Sequence, residues 1–174
     1  IIGAGRDATI FDQSGTGDHF MEITSSATNI TISDMTIQDY DEGDAGGAID
    51  ITTTGTVTIQ DVNFHNNSST SHGGAIYTAA STDVTIDRCK FTSNTTTGYG
   101  DNGGAIGSYG DITIKNCLFY DNSVGSSSYN GIIYQRNGTA NIVNCTFADN
   151  TGSGEPVYSY SGTTNIVNCI FKDN

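Results

Sequence analysis

Apolar residues along this chain alternate with polar ones over short stretches, and the alternation slips at the same place each time. Residues 84–94, VTIDRCKFTSN, show the pattern. Val84 and Ile86 alternate as one face of a half-buried strand does; Cys89 then follows Ile86 by three positions instead of two, and Phe91 resumes the rhythm. The stretch recurs as VTIQDVNFHNN at 57–67, ITIKNCLFYDN at 112–122, NIVNCTFADN at 141–150 and NIVNCIFKDN at 165–174, with a weaker copy, ITISDMTIQDY, at 30–40. Anchored on Ile37, Phe64, Phe91, Phe119, Phe147 and Phe171, the intervals are 27, 27, 28, 28 and 24 residues. A fixed period of about 20–50 residues marks a solenoid, in which each repeat is one coil that buries its apolar face against the next.

The slip predicts a bend. The residue at that point is Asp34, Asp61, Arg88, Asn116, Asn144 or Asn168. Asp and Asn tolerate the left-handed backbone that a sharp corner needs; Arg88 is the exception. A second motif keeps step with the first: Gly46-Gly47-Ala48-Ile49, Gly73-Gly74-Ala75-Ile76 and Gly103-Gly104-Ala105-Ile106, with degenerate forms at Gly131-Ile132-Ile133 and Pro156-Val157. In the third coil the inward set is Ala75, Ile76, Val84, Ile86, Cys89 and Phe91. Equivalent residues should stack about 4.8 Å apart along the axis. One ladder is Phe64, Phe91, Phe119, Phe147 and Phe171; another is Val62, Cys89, Cys117, Cys145 and Cys169; a third, of side-chain amides bonded from coil to coil, is Asn67, Asn94, Asn122, Asn150 and Asn174. The fold expected is all-β: a parallel β-helix of six to seven coils of 24–30 residues, a rod roughly 30 Å long. Residues 1–19 form an irregular first coil and 20–174 the repeats of a single domain.

Composition sharpens this picture without redirecting it. The net charge is −13 with six basic residues, which argues against a nucleic-acid partner, since that binding rests on clustered Lys and Arg. No run of about 18 apolar residues is present to span a membrane. The chain opens on Ile1-Ile2-Gly3, not on a methionine, and stops at Asn174, the end of a repeat, so it reads as a segment of a longer protein. The four cysteines share one repeat position and lack the spacing of a zinc site. They read as small buried core thiols, with coil-to-coil disulfides the alternative that parallel geometry strains.

Candidate chemistry lies in the loops and on the outward positions. Asp39, Asp41, Glu42 and Asp44 form the densest acidic cluster, a candidate calcium site whose spacing is not that of an EF-hand loop; no other cofactor is indicated. The loops at 95–102 and 123–130 are long and rich in Ser, Thr, Gly and Tyr. Tyr77, Tyr134 and Tyr158 each follow an inward aliphatic residue and should point outward, with Tyr109 and Tyr160 two positions further along. Such a surface suits a sugar or a protein on a host or neighbouring cell. Paired carboxylates are the enzyme option, because sugar hydrolysis needs two flanking one bond. The central coils offer Asp83, Asp87, Asp101, Asp111 and Asp121 in no paired pattern, and no serine or cysteine sits in a nucleophile elbow.

The in-phase alternation of Gly-Gly-Ala-Ile with Phe-x-x-Asn, over roughly residues 20–174, resembles the repeats of polymorphic outer-membrane-protein adhesins and of adhesin-like surface proteins of methanogenic archaea. The resemblance implies a right-handed parallel β-helix of the broad pectate-lyase type, displayed outside the cell and used for attachment. It transfers no catalytic residue. The expectation is therefore a non-enzymatic extracellular adhesin or stalk; a filament subunit assembling end to end and a polysaccharide lyase or hydrolase are the alternatives.

Overall fold

A computed structural model describes residues 1–24, 27–98, 102–125 and 129–174. Residues 99–101, including Asp101, and 126–128 of the two long loops lie outside the described residues.

Every strand pairing is parallel, and each joins one coil to the next. One sheet takes a strand from each of six coils, in the order Glu155–Ser159, Asn130–Gln135, Asn102–Ser108, Ile76–Thr78, Ile49–Ile51 and Met21–Ile23. The other sheet carries the recurrent stretches and wraps round two corners. The N-terminal segment adds a partial coil beneath them: Ile10–Thr16 pairs with Ile30–Glu42, and Ile2 bridges to Ser33. The architecture is thus an all-β parallel solenoid of about six turns.

The slip in phase is the first corner. Asp34, Asp61, Arg88, Asn116, Asn144 and Asn168 all have positive φ, between 52° and 61°. Arg88 adopts the same geometry at φ 52°, so stacking on its neighbours overrides its own preference. A second corner, which the sequence reading missed, lies two residues after Ile37 and after each phenylalanine of the ladder. Asp39, Asn66, Ser93, Asp121, Asp149 and Asp173 have φ between 51° and 62°. Asp, Asn or Ser at that place in every copy is the signal that could have shown it.

The paired glycines have separate reasons. Gly73 sits at φ +73°, and a Cβ on Gly74 would lie 2.2 Å from the Gly104 carbonyl oxygen of the next coil and 2.5 Å from that of Thr95. A positive φ and a close backbone approach both select glycine.

The core is a set of columns. Ala75, Ile76, Val84, Ile86, Cys89 and Phe91 are all buried, as expected. The phenylalanine rings stack face to face, 4.7–4.9 Å apart and within 9° of parallel. The asparagine amides bond from coil to coil: Asn67 Nδ2 donates to Asn94 Oδ1, Asn94 Nδ2 to Asn122 Oδ1 and Asn122 Nδ2 to Asn150 Oδ1, each at 3.0 Å. In the last coil Ile166, Val167, Ile170 and Phe171 are exposed.

All four thiols are free; Cys89, Cys117 and Cys145 are buried and Cys169 is partly exposed. Hydrogen bonding to the Cys117 thiol, and then burial, push the Cys145 thiol well above its ordinary value. The thiolate is the reactive form. In the 174-residue chain a maleimide should therefore label Cys169 alone under native conditions and all four thiols in denaturant. Rapid native labelling of two or more sites, read by mass spectrometry, would contradict the buried ladder.

Candidate functional site

The six-stranded sheet runs in register, so its outward positions form a column: Glu22, Asp50, Tyr77, Gly107, Tyr134 and Tyr158. The inward column beside it is Ile49, Ile76, Ile106, Ile133 and Val157. Alternation along each strand separates the two. Gly107 leaves a gap in the aromatic column, and His72 and Tyr109 fill it. The His72 Cβ lies 3.2 Å from where a Gly107 Cβ would stand. The His72 ring is 5.7 Å from Tyr77 and 5.2 Å from Tyr109, and its Nε2 is 3.1 Å from the Tyr109 hydroxyl.

A second column runs alongside, two residues further on each strand: Tyr109, Arg136 and Tyr160. The backbone bonds Tyr109 N to Thr78 O, Arg136 N to Ser108 O and Tyr160 N to Gln135 O continue the ladder there. The Arg136 guanidinium is sandwiched, 5.0 Å from the Tyr109 ring centre and 5.8 Å from that of Tyr160, and its Nη1 donates to the Tyr109 hydroxyl at 3.2 Å. A cation over a tyrosine face is attracted by the ring quadrupole and holds both rings in place. Tyr129 closes the patch, 6.0 Å from Tyr158 and 5.9 Å from Tyr160.

The structure therefore brings Tyr77, Tyr109, Tyr134, Tyr158 and Tyr160 together, but not as five equivalent exposed rings. Tyr134 is 0% exposed, correcting the expectation that it offers a contact surface. It points away from the solenoid core, yet Tyr158 lies parallel to it at 5.9 Å and Tyr109 is 6.2 Å away. Tyr134 supports the patch; Tyr160 and Tyr129, 55% and 48% exposed, form its accessible surface, with Tyr77, Tyr109 and Tyr158 partly covered. His72, Arg136 and Tyr129 were not foreseen. Aligning the positions two residues beyond Gly107, Tyr134 and Tyr158 would have placed Arg136 between two tyrosines.

The acidic end of the outward column has its own electrostatics. Burial lifts the Asp50 carboxyl to about 6; His19 opposes the rise, while Glu22 and Asp44 add to it. Burial also raises Tyr77, with Tyr109 contributing.

The expected calcium cluster does not assemble. What reads as a loop is the end of the Ile30–Glu42 strand, in which Asp41 pairs with Ser68 and Glu42 with Ser69. Alternation turns successive side chains to opposite faces. Asp39 is a corner residue whose carboxylate accepts from Asn66 Nδ2 at 2.6 Å, and Asp41 accepts from Ser68 Oγ at 2.5 Å. Among the described residues, no three His, Cys, Asp or Glu side chains, Asp44 included, group so as to hold a metal.

No curated protein and no solved structure matches this chain. A family model described as "Right handed beta helix region" matches residues 47–174, most of the solenoid, and this chain belongs to that family.

Proposed function

We propose that the chain is a non-enzymatic extracellular protein of adhesin or stalk type, displayed at a cell surface, which attaches to carbohydrate through its tyrosine face. The observation that carries this reading is the contiguous patch of Tyr158, Tyr160 and Tyr129, held by the Arg136 sandwich and backed by buried Tyr134. Aromatic faces pack on the apolar faces of sugar rings while their hydroxyls meet the sugar's own. Rings already fixed by their neighbours lose little freedom on binding. The repeat's resemblance to surface adhesins and the chain's acidity fit display in an aqueous exterior.

The test is a panel of neutral oligosaccharides, such as xylohexaose and cellohexaose, followed by titration calorimetry on whichever binds. Tyr160→Ala combined with Tyr129→Ala should weaken binding at least tenfold without lowering the melting temperature. Binding by the double variant equal to that of the parent would remove the tyrosine face from the account. Tyr134→Ala is unsuitable for this purpose, because it removes a buried ring.

One observation favours a second reading, a polysaccharide hydrolase. Glu22 and Asp50 lie in register on adjacent strands of the same face, next to Tyr77, and burial lifts the Asp50 carboxyl to about 6, the direction a general acid needs. Turnover of a panel member, lost in Asp50→Asn, would establish that reading in place of the first.

A further inference from the structure

The six basic residues of this chain are Arg6, Arg88, Lys90, Lys115, Arg136 and Lys172, and four of them converge on the first corner. The N-terminal segment docks on the corner of the first coil, Gly3 N to Ser33 O and Gly5 N to Asp34 O, and the Arg6 side chain reaches from there to the third coil. Its guanidinium donates to the Arg88 carbonyl and lies 3.5 Å from Asp61 Oδ1. Arg88 grips Asp61 with two parallel bonds, Nε to Oδ1 at 3.1 Å and Nη2 to Oδ2 at 2.7 Å, and reaches Asp87 Oδ2 at 2.5 Å. Lys115 stands 3.7 Å from the same Asp87 oxygen. The Lys90 ammonium has no ion-pair or hydrogen-bond partner among the described residues. Among the charged residues that line this corner, three cations, Arg6, Arg88 and Lys90, face one carboxylate, Asp61, on a chain of net −13.

These groups border a shallow pocket of about 430 Å³, lined by the cations Arg6, Arg88 and Lys90 and the carboxylate of Asp61, with Leu118 and the corner residues Asn116 and Asn144 beside them. Asp34, next along the corner column, is not part of the lining. Arg88 stands where every other coil has Asp or Asn and keeps the left-handed backbone those residues favour. A strained residue that breaks a repeat's rule points to a use for its side chain. Two guanidinium N–H groups of Arg88 remain beyond its three bonds to Asp61 and Asp87, and Lys90 adds an ammonium with three donors.

We infer that this corner pocket binds an oxyanion, the sulfate, phosphate or carboxylate group of an acidic ligand, independently of the tyrosine face. The rest of the chain is acidic and repels such a group, so the corner is where the field of this protein admits it. Arginine and lysine with side-chain amides beside them supply charge-assisted donors.

The test is titration of the ¹⁵N-labelled chain with sodium sulfate, sodium phosphate and sodium acetate, ionic strength being held constant with sodium chloride. Saturable shifts confined to the amides of Arg88, Lys90, Asn116 and Leu118 are expected, with binding at least threefold weaker in Lys90→Gln. Lys90 makes no ion pair, so that variant should melt like the parent. Should it melt lower, Lys90→Arg keeps the charge and is expected to keep the binding. Saturation by sulfate or phosphate alone assigns a tetrahedral anion; saturation by acetate alone assigns a carboxylate. The inference is overturned if no salt gives saturable shifts beyond chloride, if Lys90→Gln binds like the parent, or if Lys90→Arg loses binding.

Discussion

Phe119→Ala should cost the folded chain about 4 kcal/mol, and Phe171→Ala much less. Phe119 is 0% exposed, with the Phe91 and Phe147 rings 4.8 Å and 4.7 Å from it, both within 4° of parallel. Truncation removes the buried ring and leaves a slot between two aromatic faces. The slot cannot close, because the strands bearing those rings are held at the spacing of their backbone hydrogen bonds. Loss of two stacked contacts adds to the transfer term. Phe171 is 45% exposed and has one ring neighbour, Phe147, at 4.9 Å, so its truncation opens little that is not already open. Urea unfolding followed by circular dichroism measures the difference. Coils contact only their neighbours, so a central gap should also split the transition where a terminal one does not. Equal losses for the two variants would mean that the ladder is not a continuous core.

The solenoid was readable in the sequence because stacking repeats the same physical demand in every coil. One inward position, met six times, yields a column that a single strand could not announce. The first corner was readable for the same reason: an extra residue with Asp or Asn at a fixed place in five coils outweighs Arg88 in the sixth. The second corner went unseen because Phe-x-x-Asn draws attention to its Phe and Asn columns, while the residue that turns the chain between them, Asn66, Ser93, Asp121, Asp149 or Asp173, differs from coil to coil.

The surface was less readable, because outward positions are not forced to repeat. Alternation gave the direction of Tyr134 correctly but not its exposure, which depends on how far Tyr109 and Tyr158 reach across it. The calcium reading failed because Asp39, Asp41, Glu42 and Asp44 are close in sequence but not clustered in space once the strand runs on to Glu42. The basic corner was invisible for the opposite reason. Arg6 and Arg88 are 82 residues apart, and only the docking of the N-terminal segment on the first coil, with the Arg6 side chain reaching past Asp61, joins them.

Asn122 should be as sensitive to substitution as the rings, for a different reason. It is fully buried, and its amide is used in three directions. Oδ1 accepts from Asn94 N and from Asn94 Nδ2, both at 3.0 Å, while Nδ2 donates to Phe91 O at 2.9 Å and to Asn150 Oδ1 at 3.0 Å. Asn122→Ala strands two donors of Asn94, the carbonyl of Phe91 and one acceptor site of Asn150 where water cannot easily reach them. At about 1–3 kcal/mol for each unsatisfied buried group, and with partial relaxation, a loss of about 4 kcal/mol is expected. Asn122→Asp is the sharper probe, being nearly the same shape. An ionised carboxylate there cannot donate to Phe91 or Asn150 and carries an unpaired charge into the core. Burial raises its folded-state pKa above the unfolded value. The stability difference from the parent should accordingly be small below about pH 4 and widen as pH rises through the folded pKa. Urea midpoints for both chains at pH 4 and pH 7 measure it. A difference that stays constant with pH would show that the Asn122 side chain reaches solvent, and the amide ladder would then be a surface feature instead of part of the core.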